Sequence, residues 1–458
     1  MKNIQFDDVQ GLVFSGYNKT MPCSSYYLLQ ITNPAGTRQW LTALHQEKRI
    51  TTGRHRGNKW CLNLAISYNA FVKLGVSLPA DAFEQAFQEG MNSPRRATVL
   101  GDQAENHPDR WQWGNAEHPV DLLLMLFSKD PQQHLERRIA EESAFGTAGL
   151  KVIERLDGTP SDNIGQFNRE HFGFADGVSN PAVVGFPQSD SPNPIATGEF
   201  LFGYPNGYDG TITAIPNAGT LAQDFGNNGT YLVFRQLEQD VQGFWSFINN
   251  EAASQGIDPE WLAAKVVGRW KNGAVIAPGQ TAAPQTIGNE FDFSDDPDGL
   301  GCPFGSHVRR ANPRGTGLGE TVEESLRVAN RHLLLRRGRS YGSFSDDGRN
   351  QAGQTNLTEN GDARRGLFFI CLNANIERQF EFVQHTWING IKFNGMSDED
   401  DPLIGTYRSG HPAFSRSFTI PDQPLRRRIG NFKQFVAVRG GAYFFLPGIK
   451  ALASLGQA

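Results

Sequence analysis

An internal repetition constrains this chain more than any other feature. Residues 230–248, TYLVFRQLEQDVQGFWSFI, have the same type as residues 25–44, SYYLLQITNPAGTRQWLTAL: an apolar strand, a short polar break, then a helix. Residues 366–384, GLFFICLNANIERQFEFVQ, match residues 120–139, VDLLLMLFSKDPQQHLERRI, in the same way. The short, wholly apolar run VDLLLMLF reads as a buried strand. KWCLNLAIS (59–67) and LKVIERL (150–156) are further strand candidates in the first half. Strands alternating with helices in two similar halves predict a duplicated α+β unit.

Between these elements lie loops too long to be plain connections: 157–229, 276–321, 340–365 and 393–415, rich in Gly, Asn, Asp and Pro. Stretches of that length are usually functional or disordered; the 340–365 loop reads as partly mobile. The second loop holds GCPFGSHVRRANPR (301–314), whose Gly and Pro punctuation predicts neither a helix nor a long strand. It offers one imidazole, His307, followed by Arg309, Arg310 and Arg314. A single nitrogen donor among guanidiniums suits a large anionic cofactor whose metal takes one axial base. Haem, with its two propionates, is such a cofactor. Taken alone, a loop of this kind is most often a solvated surface turn.

Three other stretches change that weighting. HFGFADGVSNP contains Gly173-Phe174-Ala175-Asp176-Gly177, a GxxDG pattern. HLLLRRGRSYG spans 332–342, and GLFFICLNANIERQFEFVQHTW spans 366–387. With CPFGSHVRRANPR, they resemble the corresponding segments of the dye-decolorising peroxidases, a family of haem peroxidases. The resemblance covers most of the chain and is weakest in residues 40–120 and in the loops. It implies two ferredoxin-like domains, antiparallel sheets with helices, enclosing a haem. Residues 1–190 would form the first, with the GxxDG loop at its end; residues 191–458 would form the second and carry the haem ligand. The implied reaction is oxidation of bulky dyes, phenols or aromatic amines by hydrogen peroxide through a ferryl intermediate.

Such a reaction needs a proton moved between the two peroxide oxygens, and a carboxylate is a competent base for it. Asp176 is the candidate. It also needs a preorganised cation for the charge on the leaving oxygen. Arg336 and Arg337 are adjacent and would face opposite sides of a strand; alternation does not choose between them, and the resemblance selects Arg336. His307 is the expected axial ligand, with His171 and His332 its nearest rivals. Its second ring nitrogen calls for a carboxylate partner. The resemblance places one in NIERQFEFVQHTW, where Glu381 is expected and Glu377 is the alternative. Arg310 is expected on a haem propionate, with Arg309 and Arg314 as alternatives. Leu367 and Phe369 alternate along their strand and, by the resemblance, line the distal pocket; otherwise they are plain core. Trp387 is either core or a relay of electrons from haem to a bulky dye.

Composition sets the remaining bounds. The formal net charge is −5 and no basic block occurs, which argues against a nucleic-acid or anionic-membrane partner. No run of apolar residues is long enough for a membrane-spanning helix. The start, MKNIQFDDVQGLVF, shows no signal peptide or twin arginine, so a cytoplasmic location is expected. Cys23, Cys61, Cys302 and Cys371 make no CxxC or CxxCH, so the expected haem b is held non-covalently. DFSDDPDG (292–299) and SDEDDP (397–402) lack EF-hand spacing and read as solvated turns. The expected partners are hydrogen peroxide and an aromatic reductant. The alternative reading is a haem store or sensor without turnover, which has no need of Asp176 and Arg336. A haem-free binding module has no need of His307.

Overall fold

The computed structural model describes residues 3–159, 163–164, 167–187, 191, 193–214, 216, 224–344, 364–406 and 416–457. Most of the 340–365 loop, read above as partly mobile, lies outside the described residues. In the first half, β1 (Cys23–Ile31) leads to α1 (Pro34–Gln46), β2 (Trp60–Ile66), β3 (Leu122–Ser128), α2 (Pro131–Phe145) and β4 (Leu150–Gly158). In the second, β5 (Thr230–Gln239) leads to α3 (Val241–Gln255) and α4 (Pro259–Val267), then α5 (His307–Ala311) and α6 (Val322–Asn330). Strands β6 (Leu335–Arg336), β7 (Arg339–Tyr341) and β8 (Gly366–Asn373) follow, and β9 (Val436–Leu446) and α7 (Ile449–Gln457) end the chain. Between β8 and β9, Glu377–Glu381 and Val383–Ile388 wind as π-helix.

The polar break in the repeated pattern is a helix cap. Asn33 accepts from Ala35 and Gly36 N–H, Asp130 from Gln133, Asp240 from Gly243 and Asn375 from Arg378. Each satisfies amide donors that the first helical turn leaves without partners. Pro34 and Pro131 follow at the first helical position, where a missing N–H does no harm.

Both halves have the same strand order. The first runs β4-β1-β3-β2 and the second β9-β5-β8-β7, with β6 also pairing with β8. All these pairings are antiparallel. Each is the ferredoxin-like arrangement of a βαββαβ unit. The halves join where Phe445 of β9 pairs with Ile66 of β2, giving one nine-stranded sheet. That sheet curls until its edges meet: Thr159 N–H, just past β4, donates to the Ser340 carbonyl of β7 at 2.9 Å. Tyr26 and Phe368, on strands far apart in the sheet order, bring their rings within 5.3 Å inside the curl. Alternation along each strand fills both faces. Tyr26, Leu28, Phe127, Phe234, Phe368 and Ile370 pack inside. Tyr27, Leu29, Leu124, Val233 and Tyr443 pack outward under the helices.

Two local readings change. His307–Ala311 forms a short helix within the loop expected to hold none, because Gly305 and Pro313 bracket HVRRA instead of interrupting it. Strand β9 escaped the pattern because Gly440 and Gly441 break its apolar run; a β-carbon on Gly440 would come within 2.4 Å of the Trp113 ring. Among the described residues, no helix is long and apolar enough to cross a membrane.

Candidate active site

Asp176 ends a two-residue strand, Ala175–Asp176, that pairs with Phe167–Arg169. Gly173 and Gly177 flank it with φ of 97° and 84°, a region that favours glycine. Arg336 reaches it from the main sheet. β6 pairs with β8 so that Arg336 stands opposite Cys371, on the helix-covered face. Its Nη1 donates to Asp176 Oδ1 at 2.8 Å, and its backbone N–H donates to Asn180 Oδ1 at 3.0 Å. Arg337 turns the other way, where its buried guanidinium donates to the Leu12 and Val13 carbonyls.

His307 opens α5. Its Nδ1–H donates to Asp401 Oδ2 at 2.9 Å; since a carboxylate only accepts, Nδ1 carries a proton and Nε2 is the nitrogen left to serve as a ligand. Asp401 is fully buried and also accepts from Leu403 and Ile404 N–H, each at 2.9 Å. Burial alone would push its carboxyl up, but His307 and the Ile404 amide hold it below the usual range. Burial also works against an imidazolium at His307, and Asp401 overrides it to raise the ring. Protein surrounds His307, yet its side chain keeps 30% of its surface accessible. It therefore borders an internal space.

Arg336 and Asp176 lie near enough to His307 to act electrostatically on its ring. Leu367 and Phe369 share the Cys371 face of β8 with Arg336. Both are half-buried, while Phe368 and Ile370 on the opposite face are buried. An interior strand with half-exposed apolar side chains on one face must border a space there. The fold thus brings an imidazole, a guanidinium–carboxylate pair and a half-buried apolar strand face into one region. This donor set fits a haem: one axial nitrogen, apolar flanks and no anionic first-row cage. Among the described residues, no group of three or more His, Cys, Asp or Glu could hold a bare metal ion.

Two expected cofactor contacts require correction. Glu381 does not touch His307: its carboxylate accepts from Arg96 at 2.7 Å and from the Tyr443 hydroxyl at 2.9 Å. Glu377 pairs with Arg96 too, at 3.0 Å. One arginine thus gathers both glutamates of the helix, and the His307 partner comes from the acidic run read as a solvated turn. Arg310 is also not directed at a ligand. Its buried guanidinium donates to the carbonyls of Gly305, Trp387, Gly390 and Glu399, tying the proximal loop to the π-helix end. Arg309 is held by Asp296 and the Cys302 carbonyl. Arg314 donates to the Asn289 and Phe291 carbonyls and lines a cavity of about 960 Å³.

The rival histidines are otherwise engaged. His171 Nε2 meets the Tyr341 carbonyl at 2.8 Å, and His332 Nδ1 meets that of Arg378. Burial pushes both rings down, His171 to about 4. Trp387 is 2% exposed and packs in a cluster with Val383, Ile388 and Phe393.

No protein-family model matches the chain. It is 28% identical over 484 residues to the dye-decolorising peroxidase of Mycetinis scorodonius, covering 99% of this chain and 88% of that one. It is 29% identical over 404 residues to the multifunctional dye peroxidase of an Amycolatopsis strain, covering 86% and 82%. The solved structure of a dye-decolorising peroxidase with 2,6-dimethoxyphenol superposes with a TM-score of 0.78 at 25% identity, over 99% of this chain and 100% of that one. The chain is thus similar over nearly its whole length to dye-decolorising peroxidases. It is a haem-dependent peroxidase with the family's mixed helix and antiparallel-sheet fold. Within that fold, sequence reasoning missed Asp401, Asn180 and Arg96. Asn180 stood in plain view, four residues after Asp176; for Asp401 the only signal was a local excess of acid.

Proposed function

We propose that this peroxidase holds haem b non-covalently, with His307 as axial ligand, and oxidises dyes, phenols or aromatic amines with hydrogen peroxide. The relative whose structure contains 2,6-dimethoxyphenol supports a phenolic donor. The observation that carries the reading is the Arg336–Asp176 pair lying within electrostatic reach of the His307–Asp401 pair. Bound haem supplies the redox centre through which one hydrogen peroxide is reduced to two waters while two donors each give up one electron. The rest is work for the chain. Asp176 takes the proton from one peroxide oxygen and returns it to the other. Arg336, fixed by Asp176 and Asn180, stabilises charge on the departing oxygen. Asp401 keeps the proton on Nδ1 of His307, so that Nε2 would be the nitrogen, with raised basicity, to hold a haem iron. Leu367 and Phe369 form an apolar wall that strengthens these polar interactions by excluding water.

Arg314, not Arg310, is the arginine we assign to a propionate, because it lines an open cavity. The boundary between the two ferredoxin-like units lies near residue 190, in the loop between β4 and β5. The buried free thiols of Cys61, Cys302 and Cys371 support a reducing, cytoplasmic setting. The test is the visible spectrum of the purified protein before and after hydrogen peroxide, followed by oxidation of 2,6-dimethoxyphenol. The expected result is a haem band that peroxide shifts and the donor restores. A protein without that band, or a band indifferent to peroxide, overturns the reading.

A further inference from the structure

Arg336 keeps 34% of its side-chain surface accessible, so packing alone does not hold its guanidinium. The strand that carries it, β6, is two residues long and pairs only with β8. The aim of the side chain therefore depends on what fixes its backbone. Both backbone polar groups of Arg336 are bonded to side chains. Its N–H donates to Asn180 Oδ1 at 3.0 Å, and its carbonyl accepts from Arg337 Nη1 at 3.0 Å.

Arg337 carries that hold into another part of the molecule. Its guanidinium is buried, and its described hydrogen-bond partners are all backbone carbonyls: that of Arg336, that of Leu12 at 2.8 Å and that of Val13 at 2.5 Å. Arg339, two residues on and also buried, reaches the same segment, donating to the Gly16 carbonyl at 3.1 Å and the Pro22 carbonyl at 3.0 Å. Between the two arginines, the Gly338 carbonyl accepts from Asn18 Nδ2 at 3.3 Å. The three residues that follow Arg336 are thus each tied to one strap, residues 12–22, which leads into β1.

A buried cation is costly unless its hydrogen bonds are well made, and burial pushes the Arg337 guanidinium down to about 10. A neutral side chain could cap one carbonyl without that cost. The planar fork does what a neutral cap cannot: it joins three carbonyls from two segments in one rigid unit. One of the three belongs to the residue that must be aimed. We infer that Arg337 is a positioning residue for the peroxide step, acting through Arg336 by clamping that residue's carbonyl to the 12–22 strap. The inference rests on the peroxidase reading above. A guanidinium displaced by about 1 Å loses much of its effect on charge developing at the peroxide, so a loosened clamp costs about tenfold to a hundredfold.

The test uses the haem-loaded enzyme and two variants. Arg337→Lys keeps the charge but not the fork; Asn18→Ala loosens the strap at a point away from Arg337. Three quantities are read: the stopped-flow rate of the peroxide step, the affinity of the ferric protein for fluoride, and the midpoint of urea unfolding. Fluoride reports the aim of Arg336 without turnover, because a nearby guanidinium stabilises a bound anion by a charge-assisted hydrogen bond. Arg337→Lys is expected to slow the peroxide step about tenfold or more and to weaken fluoride binding in parallel. Asn18→Ala is expected to move both in the same direction by less. In an Arg336→Leu background, neither substitution changes either quantity by more than about twofold, since a residue that acts through another has no effect once that other is gone. A lowered unfolding midpoint with parent-like peroxide rate and fluoride affinity means a role in the scaffold alone and overturns the inference. An equal loss in both backgrounds overturns it too. Should Arg337→Lys fail to fold, Asn18→Ala in the two backgrounds decides, and a parent-like rate overturns the clamp. A parent that binds haem and fluoride but does not react with hydrogen peroxide overturns the peroxidase reading instead, so the two failures are distinct.

Discussion

Arg336 and Asp176, 160 positions apart in the chain, meet at 2.8 Å because β6 is pinned to β8 and the GxxDG strand is pinned by its own short sheet. Neither side chain is positioned by the other alone. Asn180 holds the Arg336 backbone, and Ala175 N–H donates to the Lys271 carbonyl at 2.8 Å. The pair is therefore preorganised before any substrate arrives, which is the condition for electrostatic catalysis.

Asp176→Asn and Arg336→Leu should each slow the reaction with hydrogen peroxide by about a hundredfold to ten-thousandfold while haem stays bound. The double variant should lose less than the sum, since contacting residues act as a unit. Stopped-flow rates of the peroxide step check this. Equal rates in parent and variants would remove the pair from the mechanism.

Asp401→Asn and Glu381→Gln should separate two carboxylates that sequence reasoning could not tell apart. Removing the charge that His307 Nδ1 donates to should raise the reduction potential of the bound iron and cut activity about tenfold to a hundredfold. Glu381→Gln weakens the contact with Arg96 and should lower thermal stability without shifting the potential. A potential that follows Glu381 and ignores Asp401 would reverse this assignment.

Arg310→Leu should destabilise the protein by about 3–5 kcal/mol, because it strands several buried carbonyls and removes their shared cation. Arg314→Ala should weaken haem retention with a smaller effect on unfolding. Chemical denaturation of both variants, paired with haem titration, distinguishes scaffold from cofactor contact.

Glu84 predicts a pH dependence of stability. Burial is the main cause that pushes its carboxyl up to about 8, only partly offset by the Ile376 amide that it accepts from. Its Oε2 is buried with no partner, as suits a protonated acid. A raised carboxyl binds its proton more tightly in the folded state. Its stabilising effect is full below the unfolded value near 4.5 and declines as pH rises towards about 8. Glu84→Gln should abolish that decline, so the variant gains on the parent between pH 5 and pH 8 by on the order of a few kcal/mol. Urea unfolding at the two pH values measures it; parallel losses in both proteins contradict it.

Trp387→Phe should leave turnover of a bulky dye near the parent value and lower stability slightly. The ring is buried among Val383, Ile388 and Phe393 and offers no surface to a dye. A steep loss of dye turnover with normal 2,6-dimethoxyphenol turnover would restore the relay.

By itself, the sequence determined the architecture. The repeated strand, polar break and helix are local signals and specify a duplicated α+β unit; the ferredoxin-like order was implied by the family resemblance. His307, Asp176 and the Arg336–Arg337 pair stood out only because four short segments together resemble one family; none was distinguished by its local context alone. Leu367 and Phe369 were legible as a strand face through alternation.

Only the tertiary structure decided the partners. Asp401 lies 94 positions from His307, in an acidic run with no local mark to distinguish one carboxylate from the next. Glu381 sits on a helix at a suitable spacing, but Arg96, 285 positions away, claims it. Arg310 follows His307 by three residues, yet the one turn of helix that starts at His307 directs it into the scaffold, where the Gly305 carbonyl of its own loop and three carbonyls from other segments await a donor. Strand alternation said that Arg336 and Arg337 part company, but only the curl of the sheet decided which of them meets Asp176. Local sequence fixes which way a side chain can point; what it meets there depends on chain closure over long separations, and charges of one sign are interchangeable until that closure is made.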